Sequence, residues 1–110
     1  MDTRGAFVRD LLSRRLFDAE ERDGVFIARK TEGRRQHTLW VSFSDGGTLG
    51  EAMIVNARSE KRWGPFSRWR NKKFVIVSPT SSGDPQSLVR AEYEFDGGVM
   101  RYLNEGKSSR

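Results

Sequence analysis

The stretch Gln36-His37-Thr38-Leu39-Trp40-Val41-Ser42-Phe43-Ser44 alternates in character residue by residue. In an extended chain successive side chains point to opposite sides, so Leu39, Val41 and Phe43 share one face and Thr38, Trp40 and Ser42 the other. One face buried and one solvated is the signature of an antiparallel sheet. The same period of two recurs on either side, in Val25 to Lys30, Thr48 to Ala57, Phe74 to Ser78, Ser87 to Phe95 and Val99 to Asn104. Turn chemistry separates these runs at Thr31-Glu32-Gly33, Asp45-Gly46-Gly47, Ser81-Ser82-Gly83-Asp84-Pro85 and Asp96-Gly97-Gly98. Short turns between consecutive strands predict a meander.

Ahead of Gly24 the period is different. Phe7, Val8, Leu11, Leu12, Leu16 and Ala19 recur at helical spacing, which predicts an amphipathic helix capped by Asp2 or Thr3 and running to about Glu21. Arg15 projects near the middle of this stripe, and is expected to pair with a carboxylate or to snorkel past the end of a groove. The expected architecture is α+β: one N-terminal helix packed on a curved antiparallel sheet of five or six strands. A small closed barrel with the helix plugging one end is the alternative.

A chain of 110 residues is one domain's worth. The expectation is a single domain over 1–105 with a frayed polar tail at 106–110. Apolar residues make up 35% and charged residues 32%, a lean core for a globular chain, but twelve aromatics argue that it folds. There is no cysteine, which excludes disulfides and thiolate metal sites, and with a single histidine among scattered carboxylates no zinc site is expected. No cofactor is expected. No apolar run reaches the length of a membrane span, and the N-terminus lacks a signal-peptide core, so a cytoplasmic location is expected.

The charge is concentrated. From Arg58 to Lys73 there are seven basic residues, one acid (Glu60) and three aromatics (Trp63, Phe66 and Trp69), a net +6 in a chain whose total is +5. The remainder is therefore slightly negative. This stretch reads either as one long connection, of a length that in compact domains is usually functional, or as a hairpin arm bent at Gly64-Pro65. Either way it would stand off the body. Long cations neutralise phosphates and flat rings offer stacking platforms to unpaired bases. Arg58, Lys61, Arg62, Trp63, Arg68, Trp69, Arg70, Lys72 and Lys73 are the candidate nucleic-acid-binding residues. On an extended arm Trp63 and Trp69 would share a face, with Phe66 opposite as a structural pin. A fold-back of the three rings into a satellite cluster is the bland alternative. Arg29, Lys30, Arg34 and Arg35 form a second basic group that would extend the patch if the first hairpin turn lies beside the arm; Arg14, Arg15 and Arg22 rank below it.

The expected function is a non-catalytic domain binding single-stranded or structured RNA or single-stranded DNA. B-DNA is disfavoured because no recognition helix bears the charge. An inhibitory or accessory module with an acidic protein partner is the alternative, and a cationic Trp-bearing arm also suits an anionic lipid surface. An open edge strand would permit a homodimer. Catalysis has little to stand on, since one histidine excludes a His–His pair; the third reading is a metal-independent ribonuclease, which can run on one His, a Glu and an Arg or on Lys, Arg and Tyr, and His37, Glu51 and Arg35 are the first residues to test for it. The Asp-Gly-Gly turns are not phosphate loops, since neither joins a strand to a helix or is followed by Lys and Ser or Thr. Arg34-Arg35 with Asn56 and Ser59 does not complete the cyclic-dinucleotide pattern of PilZ domains, because Gly64 follows the serine by five residues where that pattern places a glycine two or three residues on.

Overall fold

The structure, a computed structural model, describes residues 3–45, 51–77 and 85–105. Helix α1 spans Thr3–Arg14 and is followed by strands β1 (Asp18–Arg22), β2 (Val25–Glu32), β3 (Arg35–Asp45), β4 (Glu51–Trp63) and β5 (Phe66–Val77). The chain ends in α2 (Pro85–Phe95), a π-helical turn (Asp96–Met100) and α3 (Arg101–Asn104). The five strands lie side by side in chain order, all antiparallel. This is the expected α+β architecture, an N-terminal helix on a curved antiparallel meander, and the sheet is open rather than closed into a barrel. The turns expected at 46–47 and 81–84 and the tail at 106–110 lie outside the described residues.

Three expectations are corrected. The first helix stops at Arg14, because Leu16 takes a left-handed φ of 65° and sits exposed instead of continuing the stripe. Phe17 N–H then donates to Leu12 O and Leu16 N–H to Ser13 O, both at 3.0 Å, a Schellman closure. Residues 18–22 become an edge strand, turned back by Asp23-Gly24 with φ of 51° and 80°, the pair of positive values that a type I′ hairpin needs.

The second correction concerns the C-terminal runs expected as strands, which are helical. Ala91, Phe95, Val99, Tyr102 and Leu103 are buried along one helix face, while Val89 and Tyr93, members of the alternating set, face solvent. Asp96-Gly97-Gly98 is no hairpin turn: Phe95, Met100 and Arg101 all keep right-handed helical dihedrals, so the helix passes through it. Gly98 lies against the Phe74 ring, where an added Cβ would come within 3.3 Å of a ring carbon. Pro85 is the first residue of α2, where its missing N–H costs nothing.

The third concerns the long connection between strands, which does not exist as a loop; of the two readings, the hairpin bent at Gly64-Pro65 is the one that forms. β4 and β5 pair without interruption from Ala52↔Val77 to Trp63↔Phe66, and Gly64-Pro65 is the whole turn. Gly64 adopts a positive φ of 53°, and proline suits the next position because its ring holds φ near about −65°.

The core lies between one face of the sheet and the two helical segments. Val8, Leu11, Leu12 and Phe17 meet Phe26, Ala28, Leu39, Val41, Met53, Val55, Ala57 and Ile76, with the C-terminal helix closing the other side. Arg15 does pair with carboxylates, bridging α1 to Glu92 and Asp96. Its neighbour Arg14 joins Glu92 at 2.9 Å. Hydrogen bonds from these two guanidiniums hold the Glu92 carboxyl below the usual carboxylate range. Arg15 is raised in turn, chiefly by its hydrogen bonds with Asp96.

Candidate nucleic-acid interface

Register decides which way each side chain of the β4–β5 hairpin points. Because Trp63 pairs with Phe66 across a two-residue turn, odd positions on β4 share a face with even positions on β5. The inner face, continuous with buried Met53, Val55, Ala57 and Ser59, therefore carries Lys61, Trp63, Phe66, Arg68, Arg70 and Lys72. The outer face carries Arg58, Arg62, Trp69 and Lys73. Trp63 and Trp69 thus stand on opposite faces, and the expected pairing of the two on one side is wrong: the turn inverts the parity that a single extended strand would have kept.

All three rings are at least partly in water, with Trp63 36%, Trp69 56% and Phe66 72% exposed. Phe66, expected as a structural pin, is the most exposed of them. The cations lie over the rings: Arg58 sits 4.7 Å from the Trp69 ring centre, and Lys61 and Arg68 sit 5.2 and 5.8 Å from that of Trp63. Such contacts attract a cation electrostatically to the face of a ring.

The hairpin does not stand alone. Arg35 pairs with Lys61, and Arg62 N–H donates to Arg34 O at 3.2 Å, so the β2–β3 turn runs beside the β4–β5 tip. The second basic group is thereby split. Arg34 and Arg35 join Arg62 around a groove of about 380 Å³ at the tip. Lys30 instead lies over Phe17, and Arg29 reaches Glu20 on β1. Arg22 also stays near Glu20, and Arg14 and Arg15 belong to the helix bridge.

Two of the nine candidates serve the body. Arg70 donates to Tyr102 O at the C-terminal end of the last helix, lies 4.3 Å from the Tyr102 ring centre and reaches Glu105 at 3.4 Å. Lys72 sits over Phe74 and Tyr102. Burial pushes the Tyr102 phenol up.

Two clefts flank the hairpin. The inner one, about 300 Å³, is lined by Arg35, Ser59, Lys61, Trp63, Arg68 and Arg70 among others. The outer one, about 290 Å³, lies among Trp40, Asn56, Arg58, Asn71 and Lys73. Ser59, Trp40, Asn56 and Asn71 were not among the expected site residues; the signal for Ser59 is its place in the inward series 53, 55, 57, 59, the one hydroxyl after three apolar residues.

His37, Glu51 and Arg35 do not converge. His37 is 1% exposed, pairs in register with Ser59 and has Glu32 Oε1 at 3.2 Å from its Nε2. Glu51 begins the same strand eight residues away from Ser59, about 27 Å along β4. Among the described residues no three His, Asp or Glu side chains gather as a metal site, and no helix is long and apolar enough to cross a membrane.

Fold and site together define an α+β domain whose open sheet projects a cationic, aromatic-bearing end beyond its helical layer. No protein-family profile, curated protein or solved structure matches the chain.

Proposed function

We propose that this chain is a non-catalytic nucleic-acid-binding domain that takes single-stranded or structured RNA, or single-stranded DNA, on the distal end of its sheet. The observation that carries the reading is the interleaving of exposed Trp63, Phe66 and Trp69 with cations, Arg58 lying over the Trp69 ring and Lys61 and Arg68 over that of Trp63. Stacking one base on such a ring contributes about 1–3 kcal/mol, and each neutralised phosphate adds a salt-sensitive increment. Arg58, Lys61, Arg62, Arg68 and Lys73 would take phosphates, and Trp63 or Trp69 would take bases.

Shape favours an unpaired strand over a duplex. Only the pairs Arg62↔Ser67 and Trp63↔Phe66 extend beyond the Arg35↔Lys61 pairing with β3. Behind them the sheet is four strands wide at about 4.8 Å per strand, more than a major groove about 12 Å across admits once side chains are counted. Neither helix carries the cations, so no recognition helix is on offer.

A tryptophan-fluorescence titration with single-stranded RNA, single-stranded DNA and duplex, at two salt concentrations, tests the reading. Salt-sensitive quenching that is stronger for single strands is expected; no change with any of the three at low salt would overturn it. An acidic protein partner is favoured by one observation, the exposed Val75 two residues from Lys73 on the outer face. Competition by heparin but not by oligonucleotides would select that reading.

A further inference from the structure

The inner cleft is more specific than a basic surface. In register, Arg35, Lys61 and Arg68 lie abreast on three adjacent strands, facing the same way, with only Glu32 beyond Arg35 at the end of the row. Like charges directly opposite one another on a sheet destabilise it, and Lys61 and Arg68 form such a pair. One row further in, Ser59 is 3% exposed and its Oγ has no hydrogen-bond partner among the described residues. Arg70, paired with Ser59, is fixed from behind by Tyr102 O and Glu105. One row further out, Trp63 forms an aromatic wall.

From this arrangement we infer that the inner cleft binds one nucleoside phosphate, its phosphate facing the Arg35–Lys61–Arg68 row and Ser59, its base against Trp63. A phosphate would bring negative charge to the Lys61–Arg68 pair and an acceptor to the Ser59 hydroxyl, and the indole would offer its face to the base. The volume of about 300 Å³ is at the small end of ligand pockets, the size for a single nucleotide rather than a longer segment. The inference rests on the nucleic-acid reading in taking this nucleotide as a unit of a bound strand; a free mononucleotide has the same chemistry.

Isothermal titration of the full chain with adenosine monophosphate, inorganic phosphate and a single-stranded RNA decamer tests it, alongside Lys61→Gln, Ser59→Ala and Trp63→Ala. The monophosphate is expected to bind roughly 5- to 150-fold more tightly than inorganic phosphate, the factor that one stacked base supplies, and Trp63→Ala should erase that difference. Lys61→Gln should weaken the monophosphate about tenfold while raising the melting temperature at low salt, since it relieves the row. A lost fold would lower that temperature and cannot imitate this result. Displacement of the monophosphate by the decamer assigns the cleft to a unit of a strand; binding without displacement assigns it to a free nucleotide. If the monophosphate binds no better than phosphate, or ignores both Lys61→Gln and Trp63→Ala, the inference is overturned. Decamer binding unchanged in Lys61→Gln and Ser59→Ala would remove the cleft and leave the wider reading standing, whereas monophosphate binding with no decamer binding would do the reverse.

Discussion

Leu16 holds a left-handed backbone, φ 65°, with its side chain 77% exposed. An L-residue in that region costs roughly 1–2 kcal/mol, and nothing buried is gained by keeping leucine there. Leu16→Gly is therefore expected to stabilise the protein by about 1 kcal/mol, read as a higher denaturation midpoint at unchanged slope. Glu92 is the opposite case, a side chain whose chemistry is used. Its carboxyl is lowered by hydrogen bonds from Arg14 and Arg15, so its stabilising contribution is complete above the ordinary carboxylate value and is lost as pH falls through the lower folded one. Glu92→Gln should cost about 1 kcal/mol near neutrality and flatten the acid limb of the stability curve, measured by denaturant titration across pH. An unaltered acid limb would show that Glu92 is not what links α1 to α2.

Within the elements, the hairpin and the C-terminal helix are joined through Arg70. Its guanidinium donates to the Tyr102 carbonyl in the last helix, and such charge-assisted bonds are worth about 1.5–3 kcal/mol. Arg70→Ala is expected to lower stability by about that amount, whereas Arg68→Ala, two residues along the same face, should leave the melting temperature unchanged or raise it. The two variants separate a structural cation from a binding one, and calorimetry on both decides the assignment. The hairpin tip depends on Gly64 with its φ of 53°. Gly64→Val should loosen the Trp63↔Phe66 pair, seen as faster amide exchange confined to the tip, with core protection retained.

Across the whole molecule, the helices cover only the body end of one sheet face, and the cations that remain are divided between two faces. Six or seven phosphate contacts to a single strand would give a log–log salt slope of roughly −4 to −5. A strand lying along one face reaches fewer of these groups: with Arg70 and Lys72 committed to the body, Arg35, Lys61 and Arg68 remain on the inner face and Arg58, Arg62 and Lys73 on the outer, for a slope of roughly −2. Measuring binding of single-stranded RNA over a salt series separates the two: the steeper slope means a strand that wraps the hairpin edge, the shallower one a strand on one face.

Local pattern determined the α+β class, the meander order, the concentration of charge at 58–73 and the helix at the N-terminus, because alternation and turn residues act over a few positions. Asp23-Gly24, a strong type I′ pair, also marked the β1–β2 hairpin, and Asp84-Pro85 marked a helix start, but the apolar runs beside them masked both. In Ser87–Phe95 the spacing of Val89, Ala91, Tyr93 and Phe95 satisfies a strand, while Leu88, Ala91, Phe95 and Val99 satisfy a helix. Only burial chooses between them, since a helix brings Ala91, Phe95 and Val99 onto the sheet together. The site followed the same division. Which residues are cationic or aromatic was legible along the chain, whereas which face each one occupies depends on a two-residue turn that inverts parity, and on the long-range pairing of Arg35 with Lys61 and Ser59 with Arg70. Contacts between strands distant in sequence, not the composition of any one segment, bring those groups to a common cleft.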